Sequence, residues 1–221
     1  MNQYTYDLES LVDMSPQIVE GQLGGEHRIN NVTVRQFKIS TVHKGNLKAG
    51  QSIDVAALDF YSVSSNSFWG NDKLKEGDKL FLFFDRAKKT FLYDIPDDAE
   101  IYWSAPSGIR LIVGEKALNF FQYNNPGPYV AVLGGAATNT AIPTVTKFRE
   151  QIQESIQRMG KWKPLLEREA TVQDVPALLQ ILRERNQADS RPHGVFGRDQ
   201  VTEKACNRLV ALHDISALTN A

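Results

Sequence analysis

The spacing of apolar residues changes period once along this chain, and that change calls for two unlike parts. Up to about residue 133 apolar residues recur at every second position, the repeat of a strand. From Val145 onward they recur every three or four, the repeat of a helix. The strongest segment of the first part is Leu80-Phe81-Leu82-Phe83-Phe84, which opens after Gly77-Asp78. It is apolar on both faces, which predicts a central strand covered from both sides, with Leu82 and Phe84 almost fully buried. Residues 17–23, 53–57, 91–93, 109–113, 117–123 and 129–133 are shorter apolar or alternating runs separated by turn residues. Residues 31–43 form a longer run whose apolar phase shifts, from Val32 and Val34 to Phe37 and Ile39 and then to Val42. Each shift predicts a bulge or strong bend, one near Arg35-Gln36 and one near Ser40-Thr41. Roughly eight strands with turns between them is the pattern of an antiparallel barrel or sandwich.

Residues 134–143, GGAATNTAIP, are small and polar and end on proline. They read as a linker, with the β domain at 1–135, the linker proper at 136–143 and a helical region at 144–221. Thr144 is placed to cap a helix whose apolar positions are Val145, Phe148, Ile152, Ile156 and Met159, with Gly160 as its stop. Leu165 and Leu166 read as a short helical piece. Thr171-Val172-Gln173-Asp174 is a variant capping box, with Asp in place of Glu. It precedes a helix carrying Val175, Leu178, Leu179 and Leu182, where Pro176 is tolerated in the first turn. Residues 187–198 read as a loop, after which Asp199 caps a last helix with Val201, Ala205, Leu209 and Leu212 on one face.

Lys plus Arg number 25 and Asp plus Glu 26, a formal charge of -1. A dedicated nucleic-acid binder normally carries a clear basic excess, so no nucleic-acid partner is expected. The residues through 140 carry 13 basic and 16 acidic side chains, and those after carry 12 and 10. No apolar run approaches the roughly 18 residues that span a bilayer. With one cysteine, Cys206, no intramolecular disulfide can form; it reads as a small core residue beside Ala205. The first residues lack a basic start followed by an apolar stretch. The chain is expected to be cytoplasmic if Met1 is native, and exported if an upstream signal peptide has been removed.

Two segments resemble known patterns. Ile18, Val19 and Gly21, then Lys44, Gly45, Gly50, Ile53 and Val55, then Gly77 and residues 80–84 resemble a loosely defined class of bacterial proteins with an OB-like β-barrel. Val175, Pro176, Leu178, Leu179 and Leu182, followed by Asp199, Val201, Ala205, Leu209 and Leu212, resemble one HEAT-type helical repeat. The resemblance implies an α+β chain in two parts, an N-terminal OB-like barrel or sandwich and a C-terminal HEAT-like helical region. It supplies no catalytic residue.

The residues themselves show no H-E-x-x-H, G-x-S-x-G or G-x-x-x-x-G-K-[ST] motif. His27, His43, His193 and His213 are not paired at helical spacing. The acidic run from Asp94 through Asp97 and Asp98 to Glu100 lacks the glycine and alternating ligands of a calcium loop, and reads as a solvated turn. No metal and no cofactor is therefore assigned. The aromatic clusters are the candidate recognition surface: Tyr61, Phe68 and Trp69 beside a Ser/Asn-rich tip, and Tyr102 and Trp103 before Ser104-Ala105-Pro106. Aromatics on loops give large contact area at low entropic cost. The expectation is a non-enzymatic module that binds a protein partner. The alternative is a hydrolase whose site is assembled between barrel loops and helices, recognised by a histidine converging with a carboxylate and a hydroxyl.

Overall fold

The computed structural model describes residues 5–56, 74–87, 95–96, 99–119, 142–187 and 197–219. They form two compact units. One contains described residues from Ser15 to residue 119 together with residues 142–151; the other contains residues 5–14 and those from Ile152 onward. Apolar spacing assigns residues 1–135 to the β domain, whereas β1 (Thr5–Tyr6) and α1 (Leu8–Met14) group with the helices.

The β unit consists of β2 (Gln17–Ile29), β3 (Val32–Lys44), β4 (Ser52–Ala56), β5 (Lys79–Arg86), β6 (Ile101–Val113) and β7 (Lys116–Asn119). The strands lie in the order β4-β3-β2-β5-β6-β7, and a parallel pairing of β4 with β6 closes five of them into a barrel. Up-and-down alternation cannot be kept around a ring of five, so one parallel pair is unavoidable. The barrel is therefore mixed where an antiparallel one was expected. The closed order excludes a sandwich and is consistent with an OB-like barrel. Segments 91–93 and 129–133, read as strands, lie outside the described residues, as does most of the linker.

The barrel interior is filled by Val19, Leu23, Phe37, Ile39, Val55, Leu80, Leu82, Phe84 and Tyr102, among others. On β5, alternation sends Leu80, Leu82 and Phe84 inward and leaves Phe81 and Phe83 on the outer face. The outer pair is also buried, since Phe148 stands edge-on to Phe81 with ring centroids 5.0 Å apart. This is why the segment is apolar at consecutive positions, as its sequence predicts.

The phase shifts of β3 have two different causes. Near Ser40-Thr41 the ladder breaks as expected: Glu20 pairs with Thr41 and Gly21 with Ile39, leaving Ser40 as the extra residue. Near Arg35-Gln36, β3 pairs with β4 without interruption from Val34 to Lys38. The extra residue lies on the partner strand, where Gly24-Gly25 oppose Gln36. Val32 and Val34 simply face the other way, into a second cluster with Ala56, Ile95 and Ile101. Gly21 is required by packing. A Cβ there would fall on the Lys38 carbonyl oxygen and 2.7 Å from the Phe37 ring.

The helical unit contains α1, residues from 152 of α2 (Val145–Glu167), a 3-10 turn (Val172–Asp174), α3 (Val175–Gln187), β8 (Gly197–Arg198) and α4 (Gln200–Thr219). β1 and β8 pair in parallel. The Thr144 hydroxyl accepts a bond from the Lys147 amide at 3.1 Å, the predicted cap. The predicted stop at Gly160 does not occur. The helix continues through Pro164, because Met159, Trp162 and Leu166 extend the buried stripe begun by Phe148 and Ile152. Leu165 and Leu166 belong to this helix.

On α3 the buried stripe is Leu178, Ile181 and Arg185, while the expected Leu179 is exposed. Cys206, expected in the core, is exposed on α4. Asp199 caps α4 through the Thr202 amide at 2.9 Å, as predicted. The capping box forms between Thr171 and Asp174. The Asp174 carboxylate accepts from the Thr171 amide and also from the Thr171 hydroxyl, each at 2.8 Å. Among the described residues no helix is long and apolar enough to cross a membrane.

Candidate functional site

Tyr102 and Trp103 sit on strand β6, not on the loop expected for them. Alternation separates the two neighbours. Tyr102 points into the barrel, edge-on to Phe84 at 5.1 Å, and is 5% exposed. Its hydroxyl donates to Glu100 at 2.6 Å. Burial, and then the bond and charge of Glu100, push its pKa up to about 12. Tyr102 is thus a core residue closing the barrel interior. Trp103 points outward and is 40% exposed. Tyr61, Phe68 and Trp69 lie outside the described residues.

Register places Trp103 in a defined setting. His27 on β2 pairs with Val34 on β3, Val34 with Ala56 on β4, Ala56 with Trp103 on β6, and Trp103 with Asp85 on β5. One row of outward side chains therefore crosses all five barrel strands. Its middle is apolar, since Val34 and Ala56 belong to the second buried cluster. Its ends are polar. Asp54, two positions before Ala56 on the same face, lies 3.5 Å from His27. The exposed indole is bordered by a small apolar floor on one side and by the exposed Asp85 on the other. Periodicity could not have found this row, because it depends on which strands pair.

A second polar group lies on the barrel unit. Arg149 grips Glu20 with two bonds, from Nε at 2.9 Å and Nη2 at 2.6 Å. Glu20 lies 3.7 Å from His43, whose ring sits 5.8 Å from that of Phe81. Burial lowers the His43 pKa, Glu20 pulls it back up, and Arg149 opposes Glu20. A histidine and a carboxylate do converge here. The Ser40 hydroxyl of the same strand, however, donates to the Glu20 main-chain carbonyl at 3.0 Å. Glu20 is better described as the anchor that holds the start of α2. The lone acidic residue inside the apolar run Ile18-Val19-Glu20-Gly21 is the sequence signal for it.

Asp94, Asp97 and Asp98 lie outside the described residues, and Glu100 is engaged by Tyr102. Among the described residues no group of three or more His, Cys, Asp or Glu is arranged to hold a metal ion. In the helical unit a shallow depression of about 390 Å³ is lined by Leu166, Glu167, Lys204, Asn207 and Arg208. Its cations are engaged: Arg208 donates to the Leu166 and Glu167 carbonyls, and Lys204 to Asp13.

No protein-family model matches this chain, and no curated protein matches it.

Proposed function

We propose that this chain is a non-enzymatic interaction module in which an OB-like barrel presents Trp103 to a protein partner, in a chain that also carries a HEAT-like helical region. The observation that carries this reading is the outward row across β4, β6 and β5. It sets a 40%-exposed tryptophan between an apolar floor at Ala56 and the carboxylate of Asp85. Tryptophan is enriched among binding hot spots, and on a rigid strand its large contact area comes with little entropy to lose. The acidic surroundings, Asp85 and Asp54, favour a partner that brings Lys or Arg over the indole. The same carboxylates disfavour a phosphate backbone.

The test is a photo-crosslinking residue installed at position 85, beside the indole, in cells that make the protein. A small set of protein adducts that disappears on Trp103→Ala supports the reading. Adducts to nucleic acid, or protein adducts unchanged by Trp103→Ala, contradict it.

A further inference from the structure

The two carboxylates near Trp103 differ in what they already hold. Asp54 lies 3.5 Å from His27, and its side chain is 29% exposed. Asp85, the cross-strand neighbour of Trp103, is exposed, and among the described residues it forms no ion pair. A main-chain bond orients it: the Arg86 amide donates to Oδ1 at 2.7 Å, and among the described residues Oδ2 accepts nothing. Arg86 does not neutralise it from the same side. That residue is in register with Tyr102, so alternation sends it to the opposite face of β5, where its charge acts on the Tyr102 hydroxyl. The indole is equally unengaged. Among the described residues its N–H has no acceptor and no cation covers its face, whereas Arg110 lies over the Phe148 ring at 5.9 Å. Directly opposed residues on antiparallel strands have Cβ atoms about 5 Å apart. One bound group can therefore touch the Trp103 ring and the Asp85 carboxylate together.

We infer that the group a partner brings to this pair is an arginine guanidinium and not a lysine ammonium, with Asp85 as the residue that sets the preference. The inference rests on the reading of Trp103 as a recognition residue and narrows the partner. A guanidinium is planar. It can lie flat on an indole while its N–H edge points in the same plane to a carboxylate beside the ring. The bond it makes to Oδ2 is charge-assisted, which makes it stronger than a neutral one. An ammonium is a compact, strongly hydrated point charge. Centred over the ring it stands off from the carboxylate, and drawn to the carboxylate it leaves the ring. Asp54 already faces His27, so it adds to the local negative field without supplying a second open contact.

The test uses the full-length protein with isotope-labelled tryptophan, followed by NMR through its indole N–H signals. The Trp103 signal is assigned by its loss in Trp103→Phe. Two capped pentapeptides are titrated into the millimolar range, one with a single arginine among glycine and serine, the other with lysine in its place. The arginine peptide is expected to move the Trp103 signal along a saturating curve, with a Kd at least about fivefold below that of the lysine peptide, as one additional hydrogen bond to a charged group would give. In Asp85→Asn, which keeps an oxygen for the Arg86 amide and removes only the charge, the two peptides should become equal. Equal binding of the two peptides to wild type overturns the inference. So does a preference for arginine that survives Asp85→Asn, or a Trp103 signal that neither peptide moves. None of these outcomes touches the protein-partner reading, which stands or falls on the adducts at position 85 and their dependence on Trp103.

Discussion

Arg185 and Glu9, 176 positions apart in the sequence, meet through a 2.8 Å contact between Nη1 and Oε2, with side chains 1% and 2% exposed. A buried pair of this kind adds little net stability over a well-packed apolar pair, but it is costly to break. Arg185→Ala removes the cation that Asp7 and Asp199 share with Glu9, and leaves Glu9 its contact with Arg158. We expect a loss of about 3–5 kcal/mol in denaturant unfolding, as for other half-removed buried pairs. A loss below about 1 kcal/mol would show that water or neighbouring groups take over the arginine's role.

The same contact bears on what can fold alone. A fragment of residues 144–221 lacks α1 and the residues before it, and so lacks Asp7, Glu9, Asp13, Leu11 and Val12. It should melt over a broad range without a cooperative transition, as followed by circular dichroism. A sharp two-state melt would rule out the part assigned to α1.

In the barrel, Phe84 is buried against Tyr102 in the interior. Phe84→Ala is expected to lose about 3–5 kcal/mol, the usual range for removing a buried aromatic ring. A denaturant melt showing less than about 1 kcal/mol would mean that the barrel interior is not the core of this unit.

Most of the fold is legible in the sequence, and the failures have physical causes. The doubly apolar β5, the caps at Thr144 and Asp199 and the two-part architecture all rest on local periodicity and local bonding, which a sequence displays. Gly160 is a stop by local rule, yet the stripe continuing through Trp162 and Leu166 overrides it. Arg185 occupies the buried stripe of α3, but a charged residue at such a position is ordinarily solvated. Its carboxylate partners Asp7, Glu9 and Asp199, all distant in sequence, make its burial tolerable. Tyr102 and Trp103 form one cluster in the sequence because they are adjacent. The strand splits them between core and surface, a distinction that follows from their placement on β6 and not from composition.

Asp174 offers a check by pH. The Thr171 amide, then Arg168, then the Thr171 hydroxyl hold its carboxyl down at about 2. A depressed carboxyl contributes stability that is present above its unfolded value of ~3.9 and lost as pH falls through the folded value. The window therefore runs from ~3.9 down to about 2. The Asp174 carboxyl carbon, followed by NMR, should titrate at the bottom of that window. Titration at ~3.9, the ordinary carboxyl value, would mean that the Thr171 and Arg168 bonds do not persist in solution.

The proposed role of Trp103 is recognition, whereas its neighbour Tyr102 is buried in the barrel interior, and one comparison separates the two roles most directly. Trp103→Ala is set against wild type by thermal melt and by affinity for the proteins that crosslink at position 85. The expected outcome is a melt close to wild type with binding weaker by at least about 2 kcal/mol, the mark of a hot spot. A Trp103→Ala protein that melts normally and binds every wild-type partner undiminished would overturn the assignment of Trp103 to recognition.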